Sequence, residues 1–139
     1  MAAHCDRLPI RPALVLCSSA ARARETIAGV LPGLGAPLRV EIEDDLYTFE
    51  ARTLLDRIRG VDDGVPSLMI VAHNPGIAVL AGRLAGSGDD LLRLQAKFPT
   101  CALATIDLDV DGWSDVAHGS GHLDAFVTPA DLTSRRREA

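Results

Sequence analysis

The chain lacks an excess of positive charge, a long apolar run and a cysteine pattern, and each absence excludes a class of protein. A net charge of -5 over 139 residues offers no broad basic face for nonspecific nucleic-acid binding. No segment is apolar for the roughly 20 residues that a membrane helix requires. The three cysteines are odd in number and unpatterned, which is typical of reduced thiols. We therefore expect one cytoplasmic domain without nucleic-acid or membrane partners.

Strand and helix signals alternate along most of the chain. Short apolar runs predict buried strands, and stretches with a capping residue followed by one apolar face predict helices. Pro32 and Gly33 are expected to end the first complete helix. Strands are predicted at 12–17, 38–42, 67–72, 101–107 and 123–127, and helices at 2–7 (the end of one), 20–31, 48–60 and 75–85. Residues 86–100 are predicted to form a loop with some helical content. Residues 113–117 are expected to pair with the preceding strand across a turn at 109–112. This order indicates an α/β fold with a mainly parallel sheet and antiparallel edge strands, over a domain of residues 1–132 and a disordered tail of 133–139.

The first chemically suggestive junction is Cys17-Ser-Ser-Ala-Ala-Arg22-Ala-Arg24-Glu-Thr26, where a strand gives way to a helix. A helix start at the carboxyl end of a strand suits phosphate, and an arginine there can hold a phosphoryl group in a bidentate manner. Two solvated surface arginines are the simpler interpretation of the same residues. A cysteine-dependent phosphatase is excluded, because its spacing would require arginine where Ala23 stands.

The second junction is Ile70-Val-Ala-His73-Asn74-Pro75-Gly76, again a strand followed by a helix. A histidine at this position can bond a phosphoryl oxygen or transfer a proton. The alternative is a histidine that caps the helix or is buried in the core. Since parallel strands end at one edge of a sheet, His73 and Arg22 are expected to face a common pocket.

Taken together, these stretches resemble the SixA-like phosphohistidine phosphatase branch of the histidine phosphatase superfamily. The resemblance extends from Pro12 to Leu132. It is carried by Arg22-Ala-Arg-Glu-Thr26, Val71-Ala-His73-Asn-Pro75, Asp45-Leu-Tyr47, Lys97-Phe-Pro-Thr100, Gly119-Ser-Gly121 and Phe126-Val-Thr-Pro129.

The resemblance implies a single-domain three-layer α/β sandwich and a phosphatase that uses neither metal nor cofactor. A histidine attacks phosphorus and is transiently phosphorylated, while arginines and a second histidine hold the phosphoryl oxygens. Carried over, Arg22 and His73 are the catalytic residues, and Arg24 is peripheral. The expected phosphate ligands are Arg22, His73, Ser18 and Asn74; Glu43, Asp44 and Asp45 lie where a proton donor is usual. The expected substrate of this monomer is a phosphohistidine protein or a small phosphoester.

The sequence departs from the family at its beginning. The family's first strand ends in an Arg-His pair that supplies the nucleophile, whereas His4 here follows Ala3 and Arg7 adjoins no histidine. We therefore expect the first strand to be missing and the chain as written to be inactive. Two hypotheses follow: a longer natural product that is an active phosphatase, or a non-catalytic phosphate-binding remnant or protein-interaction domain.

Two other kinds of site are not favoured by the sequence. A nucleotide-binding module would need a glycine-rich turn directly after a strand, and neither junction has one. His118 and His122 are four residues apart, as in a helical metal pair, but Gly119-Ser-Gly121 between them predicts a loop. Trp113 follows Asp-Gly and is predicted to be a packing residue at a hairpin.

Overall fold

The computed structural model describes residues 12–34, 39–99 and 102–132. The helix end predicted at 2–7 and the tail predicted at 133–139 lie outside these ranges. The strands are β1 (Leu14–Ser18), β2 (Arg39–Glu43), β3 (Leu68–Val71), β4 (Ala85–Ser87), β5 (Leu103–Leu108) and β6 (Gly121–Val127). The helices are α1 (Ala21–Leu34), α2 (Ala51–Arg59), α3 (Gly76–Leu84) and α4 (Leu91–Ala96), with 3₁₀ turns at Asp44–Leu46 and Trp113–Asp115.

The first sheet is parallel, has the order β2-β1-β3, and carries helices on both faces. Its central strand β1 is buried at every position, as a continuous apolar run predicts. Because side chains alternate along a strand, Leu14 and Leu16 pack toward α2 and α3, whereas Val15 and Cys17 pack toward α1. This alternation builds the expected three layers.

The second sheet has the order β4-β6-β5, with β4 parallel and β5 antiparallel to β6. Side chains of β5 reach both cores beside β1: Leu103 packs on the α1 side, and Ile106 and Leu108 on the α2 and α3 side. The predicted single-domain α/β fold with parallel and antiparallel pairing is confirmed. Within the described ranges, however, the strands form two three-stranded sheets rather than one continuous sheet.

Two predictions about local structure were wrong. The helix expected to end at Pro32 continues to Leu34, because Leu34 joins Val30 and Ile27 in the buried cluster under α1. That burial outweighs the one helical hydrogen bond that proline cannot donate. The segment at 113–117 does not pair back as a strand, since Trp113–Asp115 forms a 3₁₀ turn.

Two further segments complete the description. The predicted loop at 86–100 contains the end of β4 and all of α4. Trp113 packs against the core beneath α2 and donates its indole N–H to the Val65 carbonyl at 2.9 Å, which accounts for it as a packing residue. No helix in the described part of the chain is both long and apolar enough to cross a membrane.

Candidate functional site

Ser18 and His73 meet at the carboxyl edge of the first sheet. Strand β1 pairs with β3 in a register that sets Cys17 opposite Val71, so the residues after each strand emerge side by side. The Ser18 Oγ lies 2.8 Å from the His73 Nε2, although 55 positions separate the two residues in sequence. Two of the predicted phosphate ligands are therefore in direct contact.

The Ser18 hydroxyl also joins this pair to the start of α1. The backbone N–H of Ala20 donates to the Ser18 Oγ at 3.2 Å. Ser18 is fully buried, and a buried hydroxyl with two partners has little freedom to rotate. It therefore restrains the position of the His73 Nε2 and is itself held by the chain that leads into the helix.

Two aromatic side chains pack around His73. The Tyr47 ring lies 5.1 Å from the imidazole centroid and is tilted by 32°, and the Phe49 ring approaches edge-on at 6.3 Å. Both remain mostly exposed, at 59% and 60% of their surface. Since the imidazole is only half-buried, the aromatic pair forms an apolar rim beside a polar ring that solvent reaches.

The start of α3 comes very close to this rim. A Cβ at Gly76 would lie 2.8 Å from the backbone carbon of Phe49, which is closer than a side chain tolerates. Glycine at this position lets the Phe49 segment pack directly on the helix that follows His73. The contact between the Phe49 backbone and Gly76 therefore keeps the aromatic rim close to the segment that carries His73.

Arg22 lies in the first turn of α1, directly after the Ser18 edge. Its side chain is exposed, and in the described part of the chain its guanidinium makes no hydrogen bond or ion pair. Its carbonyl accepts a hydrogen bond from Thr26 Oγ1 at 2.9 Å, within the Arg-x-x-x-Thr stretch of the sequence. The guanidinium at the helix start is therefore available for an external anion, although it does not contact His73.

Asn74 has a different set of contacts from those of the other predicted phosphate ligands. Its Nδ2 donates to the Phe98 carbonyl at 2.9 Å, tying the β3–α3 junction to the segment that follows α4. The side-chain nitrogen of Asn74 thus positions a neighbouring loop in this structure.

The three candidate proton donors have different surroundings. Glu43 receives two hydrogen bonds from Arg57, Nε to Oε1 at 2.7 Å and Nη2 to Oε2 at 2.8 Å. These bonds hold the pKa of Glu43 below its ordinary value. A carboxyl that is kept ionised is a poor general acid at neutral pH, so the pairing with Arg57 disfavours Glu43 as the proton donor.

Cys17 is unsuited to nucleophilic chemistry. It is fully buried, and its thiol faces the Ser18 carbonyl at 3.3 Å. Burial raises the pKa of this thiol, an effect that the nearby Arg24 charge only partly opposes. Its role is that of a small core residue beneath α1.

Phe49 is the site residue that sequence reasoning missed. It follows Tyr47 by two positions, in an exposed segment between a 3₁₀ turn and a helix. Such a segment has no periodic pattern from which the side toward which the ring points could be predicted. The only sequence signal was its nearness to the Asp45-Leu-Tyr47 stretch. In the described ranges no three His, Cys, Asp or Glu side chains come together to hold a metal ion.

The fold is that of solved SixA structures. A proposed phosphohistidine phosphatase SixA from Agrobacterium tumefaciens matches 92% of this chain and 75% of its own length, with 28% identity and a TM-score of 0.73. A counterpart from Nakamurella multipartitia matches 92% of this chain and 79% of its own, with 22% identity and a TM-score of 0.67. A SixA structure complexed with tungstate covers 94% of this chain, with 21% identity and a TM-score of 0.67. The architecture is thus that of the SixA histidine phosphatases.

Sequence relatives define the family more narrowly. The uncharacterized protein ML1117 of Mycobacterium leprae is 36% identical over 118 residues, which cover 83% of this chain and 70% of the relative. The uncharacterized protein Rv1276c of Mycobacterium tuberculosis is 38% identical over 119 residues, which cover 83% of this chain and 72% of the relative. This chain belongs to the family of these mycobacterial proteins. No protein-family model matches it.

Proposed function

We propose that this protein is a phosphatase of the histidine phosphatase type, and that it acts on phosphohistidine or on a phosphomonoester. The observation that carries the proposal is the contact between Ser18 and His73, at the sheet edge where α1 also presents Arg22. A half-buried imidazole and an exposed guanidinium at a helix start are groups that bind a phosphoryl dianion, and the buried Ser18 hydroxyl holds the imidazole beside that helix. The SixA structures, one of them in complex with the oxyanion tungstate, support this interpretation.

In the proposed reaction, a histidine outside residues 12–132 is the nucleophile. Its ring nitrogen forms a bond to phosphorus as the substrate P–N or P–O bond breaks, and the leaving nitrogen or oxygen takes up a proton. Water then attacks phosphorus, releases orthophosphate and restores the histidine. Arg22 and His73 stabilise the charge that develops on the phosphoryl oxygens in both steps.

We further propose that the strand carrying this nucleophile lies between β3 and β5. Each of these strands has one partner in the described part of the chain, β1 for β3 and β6 for β5. Every residue of β3 is apolar yet only half-buried, which leaves a hydrogen-bonding edge and apolar surface for one more strand. Both strands contribute to the same two cores, so a strand between them would join the two sheets.

The surface around His73 favours a phosphohistidine on a protein over a small phosphoester. Tyr47 and Phe49 place exposed aromatic area beside the imidazole, and exposed aromatics are typical of surfaces that bind proteins. A small, highly soluble phosphoester would gain little from such a rim.

The first test measures oxyanion binding by the 139-residue chain itself. Tungstate titrated into the isotopically labelled protein should shift the imidazole NMR signals of His73. The variant Arg22→Ala should weaken this binding by about tenfold or more, since it removes a charge-assisted contact. Arg24→Ala is the matched control, because it removes an equal charge two residues away and should leave binding nearly unchanged.

The second test measures turnover in a product that includes the upstream coding sequence. It should hydrolyse a phosphohistidine protein without added metal, and His73→Ala should lower the rate by about 10²–10³-fold. Full activity in both His73→Ala and Arg22→Ala would refute the assignment of these residues. Tungstate binding without turnover, even in the longest product, would favour the non-catalytic phosphate-binding hypothesis.

A further inference from the structure

A cluster of arginines lines a cavity between α2 and α3, and the first lining residue, Ala51, follows Phe49 by two positions. This cavity of about 510 Å³ is lined by both helices and by Ala117 and His118, and its buried apolar floor includes Leu55 and Leu80. None of the residues in contact with His73, namely Ser18, Tyr47 and Phe49, lines it. Its volume is in the range of small-molecule pockets.

The rim of this cavity is strongly basic for an acidic protein. Arg52, Arg59 and Arg83 line it with a single carboxylate, Asp56, which gives a formal charge of +2 before His118 is counted. Asp56 is three or four positions from both α2 arginines, a spacing that usually allows ion pairs. In the described ranges, however, no salt bridge joins it to either of them. Among the described residues, Arg52, Arg59 and Arg83 form no ion pair within 4.0 Å.

Hydrogen bonds fix the walls of the cavity to one another. Arg59 Nε donates to the Val116 carbonyl at 2.8 Å, which positions its guanidinium and leaves its two terminal NH₂ groups unused by this bond. The Gly119 N–H donates to the Arg83 carbonyl at 2.7 Å and holds the His118 loop against α3. A binding site whose walls are already ordered loses less entropy when a ligand arrives.

Gly86 and Gly119 make the loop contact possible. Gly119 has a φ of +74°, a conformation that side chains rarely adopt, and a Cβ at Gly86 would lie 2.7 Å from the Gly119 carbonyl oxygen. Ser120 closes the loop by donating its hydroxyl to the Ala117 carbonyl at 2.6 Å. His118 is therefore presented to the cavity by a rigid turn.

We propose that this cavity binds a small polyanion bearing two or more phosphate groups. Arg52 and Arg59 are seven residues apart, so their Cα atoms are separated by about 10 Å along α2. A ligand that reaches both ends, and Arg83 opposite, carries anionic groups at more than one point. The apolar floor between the arginines suits the less charged part of such a ligand.

Calorimetric titration of the 139-residue chain with orthophosphate, pyrophosphate and tripolyphosphate tests the proposal. Affinity should rise with the number of phosphates, and the double variant Arg52→Gln, Arg83→Gln should weaken tripolyphosphate binding by about tenfold or more. The double variant Arg24→Gln, Arg39→Gln removes the same two charges from exposed arginines outside the cavity and is the charge-matched control; it should change the affinity by less than about twofold. Tripolyphosphate should also shift the imidazole NMR signals of His118.

The outcomes separate this site from the proposed phosphatase site. His73→Ala alters the proposed phosphatase site but should leave the tripolyphosphate-dependent shift of the His118 signals intact. Binding at the cavity can therefore be observed even if the proposed phosphatase function is wrong. Affinity unchanged in the double variant would overturn the site. Equal affinity for orthophosphate and tripolyphosphate, or tighter binding of a hexa-aspartate peptide than of tripolyphosphate, would overturn the ligand class.

Discussion

Replacing Ser18 by alanine tests the contact on which the candidate site depends. The substitution removes one buried oxygen that accepts the Ala20 N–H at 3.2 Å and lies 2.8 Å from His73 Nε2. Each of these bonds contributes about 1 kcal/mol, so the free energy of unfolding should fall by about 2 kcal/mol. No cavity of consequence forms, because only a single oxygen atom is lost.

The expected change is large enough to measure by two methods. An unfolding entropy of about 2.1 cal/mol/K per residue gives roughly 0.29 kcal/mol/K for 139 residues, so 2 kcal/mol lowers the Tm by about 7 °C. Urea denaturation should show a lower midpoint with an unchanged slope. The imidazole NMR signals of His73 should broaden or shift, because the hydroxyl that fixes the ring is absent.

Ser19→Ala is the matched control for this prediction. Ser19 is the next residue and is partly exposed, and its backbone N–H donates to the Glu43 carbonyl at 3.2 Å, a bond that alanine retains. Its substitution should change the free energy of unfolding by less than about 0.5 kcal/mol. If the two variants prove equally stable, the Ser18 hydroxyl does not contribute as argued, and the packing of Tyr47 and Phe49 alone positions the imidazole.

Two further predictions concern stability. Glu43→Gln should destabilise the protein at pH 7 by about 1 kcal/mol, since these groups are partly exposed. Because the bond from Arg57 lowers the folded-state pKa of Glu43, its contribution is fully present above the ordinary pKa of 4.5 and is lost as the pH falls through the folded value. Urea denaturation should therefore show the two proteins converging at acidic pH, and a constant difference would contradict the pairing. Gly121→Ala should lower the free energy of unfolding by about 1–3 kcal/mol, because its Cβ would collide with Ile106, whereas Gly29→Ala in open space on α1 should raise it by about 0.5–1 kcal/mol. Thermal unfolding of both glycine variants checks the sign, and a stabilising Gly121→Ala would show that β5 and β6 are less closely packed than described.

Much of the fold could be predicted from local patterns. The run at β1 is apolar at successive positions, which requires burial on both faces, and the strands and helices that follow it alternate as a parallel sheet demands. The end of α1 could not be placed in this way. Pro32 is a reliable local stop signal, but the burial of Leu34 beyond it is a property of the assembled core.

The candidate site was also predictable only in part from the sequence. The two strand-to-helix junctions pointed to Arg22 and His73, because a polar residue after a buried strand and before a helix has a predictable place at the sheet edge. Simpler interpretations of both residues stayed open until the resemblance to the SixA-like phosphatases was added, and that resemblance also supplied Ser18. Only the tertiary structure decided that Ser18 touches His73, that Phe49 flanks it, and that Arg57 keeps Glu43 ionised. These are contacts between distant positions in the chain, and their geometry depends on strand register and helix packing. The cavity proposed to bind a polyphosphate also depends on tertiary structure. Its charged residues form no pattern in the sequence, and they line one pocket only because α2, α3 and the His118 loop pack together.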